Sequence, residues 1–177
     1  MWKYAKATEL LEIPHRARIA WLASTIGRIT SMYPVSFLTQ YHLEKPVNLA
    51  WNWVDSGSYD EATTSSLAQL IDQSAIDLEN DGYSGQIALP GFYLLLEIRE
   101  ATAVAAATSA NFIGTLYAQA VLLHQGKRFS EMPDDALSKI ERTALGYAYR
   151  VFQLTAQLPQ QNIHRGYADL VQIESIA

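Results

Sequence analysis

Cysteine is absent from the chain, which excludes disulfides and thiolate zinc sites and suits a reducing compartment. Lysine and arginine are absent from residues 46–98, although the whole chain holds 13 of them. Glycine and proline are scarce, at 9 and 6 of 177 residues, while apolar residues make up 49%. That balance excludes a disordered or low-complexity chain and predicts one globular domain with a sizeable core. No long apolar run is present either. The longest mostly apolar stretch, 101–123, is interrupted by Thr102, Thr108, Ser109, Asn111 and Gln119, and makes a poor membrane span. The opening MWKYAKATELLEIPHR carries charges throughout, with no apolar core of a signal peptide. A secretory leader and membrane attachment are therefore not expected, and the expected location is cytoplasmic.

The motifs that announce common chemistries are missing too. There is no H-E-x-x-H, no G-x-x-x-x-G-K-[ST], no G-x-G-x-x-G and no G-x-S-x-G. The four histidines, His15, His42, His124 and His164, read as structural or surface residues. No catalytic residue, cofactor or metal is assigned from the sequence. One carboxylate stands out: Glu97 interrupts the apolar run FYLLLEIRE. It reads either as a general acid tuned by burial or, more ordinarily, as a group that sits at the edge of the stripe or pairs with a neighbouring polar group.

What is present is charge of one sign in one place. Residues 1–45 carry six basic residues against three acids, and residues 99–177 balance at seven each. Residues 46–98 carry eight acids, Asp55, Asp60, Glu61, Asp72, Asp77, Glu79, Asp81 and Glu97, with no base, and the chain totals −5. Direct nucleic-acid binding through that segment is disfavoured, because phosphates require Lys or Arg. A basic partner suits it. The alternative is a solvated acidic face that keeps the chain soluble.

Helical periodicity runs through every long segment. Pro14, Pro34, Pro46, Pro90 and Pro133 each stand near the start of an apolar-periodic run, where proline is tolerated. The pattern predicts a short helix over 3–12, then helices over 14–32, with Ile19, Leu22, Ala23, Ile26, Ile29 and Tyr33 on one face, and over 35–42, with Val35, Phe37 and Leu38 inward. A helix over 46–57 ends at Gly57. In it Val47, Ala50, Trp51 and Val54 fall at i, i+3, i+4 and i+7, so Trp51 points inward. Trp53 lies off that face beside Asn52. Trp21 likewise falls off its helix's main face, on the side of Ser24 and Arg28; it is either a second buried stripe or a surface ring.

An acidic helix follows, with Asp60 and Glu61 in its first turn and a core face of Leu67, Leu70, Ile71, Ser74, Ala75 and Leu78. NDGYSG at 80–85 reads as its closing turn. The run from Pro90 to Gln125 is closed by Gly126, with a break expected at TSAN, 108–111. Its small residues predict close approach by neighbours and a central place in the bundle. A last long helix is expected over 133–158, inward through Leu137, Ile140, Ala144, Tyr147, Ala148, Val151, Thr155 and Leu158, with Leu145, Tyr149 and Phe152 as a second stripe. A short helix is expected within 163–175. The fold class is all-α, a single bundle of about six to eight helices, with 1–13 and 160–177 peripheral.

The order of these segments resembles a known group. RIAWLASTIGRITSMYP, then NLAWNWVDSG, then the acidic helix, then ALPGFYLLLEIREATAVAAAT and a long closing helix are similar to the all-helical immunity proteins of bacterial polymorphic toxin systems, and to a related bacterial all-helical domain family. The likeness covers about residues 14–158. It implies a non-enzymatic inhibitor that binds a cognate toxin domain and occludes its active or substrate-binding surface. On that reading the contact residues expected are Trp53, Asp55, Asp60, Glu61, Asp72, Asp77 and Asp81. Two other readings stay open. A small helical enzyme or cofactor binder would need Glu97, a histidine and perhaps Trp53 to converge. A homo-oligomeric scaffold would bury Trp21 and Trp53 between subunits.

Overall fold

The computed structural model describes residues 4–78 and 83–173, the side chains of 74–78 and 83–85 excepted. Its described residues form eight α-helices: α1 (Ala7–Leu10), α2 (His15–Thr30), α3 (Val35–Gln40), α4 (Glu44–Ser56), α5 (Glu61–Leu78), α6 (Leu89–Glu100), α7 (Ala103–Gln125) and α8 (Asp134–Gln157). There is no strand among them, and the all-α bundle read from periodicity is the fold.

Helix α7 is the axis of the bundle, with α1, α2, α6 and α8 packed around it. Its alanines place little bulk between backbones, so partners come close. A Cβ on Gly114 would sit 3.0 Å from Cβ of Glu141 on α8, and a Cβ on Gly91 of α6 would sit 2.9 Å from Cγ of Pro46 on α4. Helix α2 is the second central element, packed on α4, α6, α7 and α8. Pro14, Pro34 and Pro133 stand at the N-caps of their helices, while Gly57 and Gly126 close α4 and α7 in the left-handed region at φ 71° and 64°.

Four expectations need correction. The break in the long run falls at Ala101, with φ 53°, not at 108–111. Thr102 caps α7 there by accepting the Ala105 N–H at 3.3 Å. The polar residues of TSAN work as anchors within α7 instead. Ser109 donates to the Pro90 carbonyl at 2.7 Å, and Asn111 holds both main-chain groups of Ala5 at 2.8 and 3.2 Å.

Val35 is 76% exposed, because it opens α3 at the surface. Leu70 is 44% exposed. Helix α5 turns Thr64, Leu67, Ala68 and Ile71 inward, a face built partly from small residues that rotates Leu70 outward. Ser74, Ala75 and Leu78 as core members, and most of the turn expected at 80–85, lie outside the described residues; 83–88 form a 3₁₀ turn.

The described part of the tail forms a 3₁₀ turn at Gln160–Asn162 and hydrogen-bonded turns over 165–170, not a helix. It is fastened by Arg16. From the first turn of α2 this side chain donates to the Val54 carbonyl at 2.8 Å, the Gln160 carbonyl at 2.7 Å and the Ile163 carbonyl at 3.0 Å. Residues 160–163 are thus tied to the core.

Candidate functional site

The tryptophans sort by packing. Trp51 is buried and meets Tyr167 edge-on at 6.4 Å. Trp21 is wholly buried. Its Nε1–H donates to the Ala148 carbonyl at 2.8 Å, and Phe152 meets it edge-on at 5.7 Å. Trp21 is therefore core and not a surface ring, while Ser24 and Arg28 on the same side of α2 reach the surface. Trp53 is half-buried and lies 4.8 Å from the His15 ring.

His15 leads to a buried polar knot. Arg18 Nε donates to Glu97 Oε1 at 2.7 Å, and His15 Nε2 lies 3.7 Å from the same oxygen. His15 Nε2 also donates to the Glu97 main-chain carbonyl at 2.7 Å. Arg18 spends its other nitrogens on the Ile13 and Ala101 carbonyls at 3.1 and 3.3 Å. Glu97 is wholly buried, and its Oε2 finds no partner. Burial pushes the Glu97 carboxyl up to about 7 against the pull of Arg18. Burial also lowers His15, which gains partly from the Glu97 carbonyl and loses further to the Arg18 charge.

Glu97, a histidine and Trp53 thus converge, as a helical enzyme would require. Access does not follow. Glu97 exposes no surface, and His15 reaches solvent with only 25% of its side chain. The knot joins the head of α2 to the tail of α6, and Glu97 is the buried partner of an arginine rather than a group at a stripe's edge. Glu12 stands three residues before His15, a spacing used by helical metal sites, but Pro14 separates them and Glu12 is exposed outside α2. Among the described residues no three His, Asp or Glu side chains gather to hold a metal ion. His124 and His164 contact main-chain carbonyls, at 2.9 Å from Met32 and 3.0 Å from Arg165.

The acids are spread over two faces. Asp55, Asp60, Glu61 and Asp72 are all exposed. Asp60 is the N-cap of α5 rather than a first-turn residue. Its carboxylate accepts from the Ala62 N–H at 3.0 Å and the Thr63 hydroxyl at 2.5 Å, and these bonds, Thr63 first, lower its pKa. Thr63 lines a groove of about 460 Å³ between α4 and α5, together with Lys45, Asn48, Leu49, Asn52, Ser66, Leu67 and Leu70. Asp55 falls on the stripe of Asn48 and Asn52 by helical spacing.

Asp72 lies elsewhere. It shares a second cleft, between α5 and α6, with Arg99 and Phe92. A base absent from the local sequence is therefore near it in space. Trp53 does not line the α4–α5 groove. For Asp77 only the backbone, within α5, is described, and Asp81 lies outside the described residues.

No protein-family model, no curated protein and no solved structure matches the chain. Among the described residues no helix is long and apolar enough to cross a membrane.

Proposed function

We propose that the chain is a non-enzymatic binding protein that docks a basic protein surface along the α4–α5 groove, and that it neutralises a cognate bacterial toxin by covering that surface. The observation that carries this reading is the composition of the groove. Its floor is apolar, with Leu49, Leu67 and a Leu70 that is 44% exposed. Its rim is polar, with Lys45 at one end and Asn48, Asn52 and Ser66 along it, and two exposed acids stand at its margin: Asp55 by helical spacing and Asp60 through Thr63. An apolar centre within a polar rim is the anatomy of a protein interface, and the acids select a basic partner and speed its approach. The resemblance to immunity proteins supplies the toxin. The buried knot at Glu97 supports the non-enzymatic side of the reading, since a carboxylate without exposed surface does not meet a substrate.

The test is capture of the partner from the native host by the tagged chain, followed by association kinetics with the partner isolated. Asp55→Asn combined with Asp60→Ser removes both charges while Ser keeps the helix cap. The expected result is a slower on-rate with a flatter dependence on salt, and loss of capture on Leu70→Arg. An unchanged on-rate in the double variant, or a groove occupied by a second copy of the chain in sedimentation experiments, overturns the proposal.

A further inference from the structure

A separate cleft, of about 230 Å³, opens where α2, α4 and α8 meet the C-terminal turns. Its polar lining is Arg28, Arg165, Tyr147, Asp169, Ser24 and Ser31, and Trp51 and Val47 form an apolar wall. We propose that this cleft binds a small zwitterion, an α-amino acid or a molecule with the same carboxylate and ammonium pair.

The charges are placed and unspent. Among the described residues neither the Arg28 guanidinium nor the Asp169 carboxylate has a hydrogen bond or ion pair. Arg165 is held in place by Asn48, whose Oδ1 accepts from it at 3.0 Å. Asp169 is seated by the turn before it. Gly166 adopts φ +90°, and a Cβ there would lie 3.0 Å from Asp169 Oδ2, so a side chain at 166 would press on the carboxylate. The turn itself is pinned to the core by the bond from Arg16 to the Ile163 carbonyl.

The floor carries a second, independent sign. Tyr147 lines the cleft and is only 1% exposed, and its hydroxyl makes no hydrogen bond within the described residues. The polar end of a side chain so deeply buried normally finds a partner. Burial pushes Tyr147 up to about 12; the Arg28 charge, and more weakly Arg150, pull it down, while Tyr167 and Asp169 push it up. The hydroxyl therefore stands within the field of a cation and an anion that do not pair with each other.

That arrangement selects among ligands. A simple anion would satisfy the arginines and be repelled by Asp169; a simple cation would meet the reverse. A molecule bearing both charges satisfies both, with the Tyr147 hydroxyl left to bond its polar head. The volume is below the ~300 Å³ lower end for drug-sized ligands, which sets the size to that of an amino acid. Its side chain would lie on Trp51 and Val47. The cleft shares α4 with the docking groove but none of its lining residues.

Calorimetric titration of the full chain with individual common amino acids tests this, with acetate and methylamine as the two half-ligands. At least one amino acid is expected to bind saturably, with each half-ligand at least about tenfold weaker. Arg28→Gln and Asp169→Asn should each weaken binding roughly ten- to a hundredfold, the range for a charge-assisted hydrogen bond. Tyr147→Phe should weaken it by about five- to tenfold. Circular dichroism melts establish that each variant folds, and the surface variants Arg28→Gln and Asp169→Asn carry the decision if Tyr147→Phe does not. Failure of every amino acid to bind, acetate binding as tightly as the best amino acid, or Asp169→Asn binding like the parent overturns the proposal.

Discussion

Arg18 and Glu97 stand 79 positions apart in sequence and meet across 2.7 Å with their side chains almost wholly removed from water. Desolvating two charges costs several kcal/mol each, and their attraction offsets this only while both are present. Arg18→Met alone, or Glu97→Leu alone, should therefore destabilise by about 3–5 kcal/mol. The two together should recover most of that loss. Urea unfolding of the four species closes the cycle; additive losses in the double variant would mean that the pair is not coupled.

The same pair sets a pH dependence. The folded Glu97 carboxyl titrates near 7 against an ordinary 4.5. A group raised on folding contributes stability that is full below its unfolded value and is lost as pH rises through its folded value. The chain should lose at most about 3 kcal/mol from this group across that window. His15, lowered on folding, acts oppositely: its contribution is full above about 6.5 and is lost as pH falls through its lower folded value. In the Arg18→Met, Glu97→Leu variant the decline toward pH 8 should flatten. An identical decline in variant and parent would locate the titrating group elsewhere.

Three tryptophans give two outcomes. Trp51→Ala and Trp21→Ala should each cost about 3–5 kcal/mol through cavity formation, and Trp21 also leaves the Ala148 carbonyl without its indole donor. Trp53→Ala, which removes a half-buried ring resting on His15, should cost roughly 1–2 kcal/mol. Thermal melts rank them; equal losses at 51 and 53 would contradict the packing.

Gly91 faces the Pro46 ring with no room for a methyl group. Gly91→Ala should destabilise by about 1–3 kcal/mol despite its better helix propensity, because overpacking outweighs the gain. Pro46→Ala in the same chain should relieve part of that loss. A stabilised Gly91→Ala would show that α4 and α6 have slack.

Trp51 was legible in the sequence because its neighbours Val47, Ala50 and Val54 repeat at helical spacing, and periodicity reports a face directly. Leu70 was not, because the inward face of α5 uses Thr64 and Ala68, and hydropathy ranks a leucine above them. The break at Ala101 was hidden for a related reason: a non-glycine residue at positive φ leaves no mark in composition. Polar residues inside α7 looked like breakers, yet Ser109 and Asn111 serve partners 19 and 106 positions away. The Glu97 knot and the Arg28 cleft are assembled from positions 79 to more than 130 residues apart, and no local pattern encodes such meetings. The acids were legible as charge, but their division between two faces follows from how α5 is rolled against α4 and α6.

Arg16 holds the Gln160 and Ile163 carbonyls across separations of 144 and 147 residues. Synthesis is vectorial, so a growing chain carries α2 through most of translation with that guanidinium lacking two of its three acceptors. Loop closure over such a span is entropically slow. The bonds from Arg16 to the tail can therefore form only once residue 163 has left the ribosome.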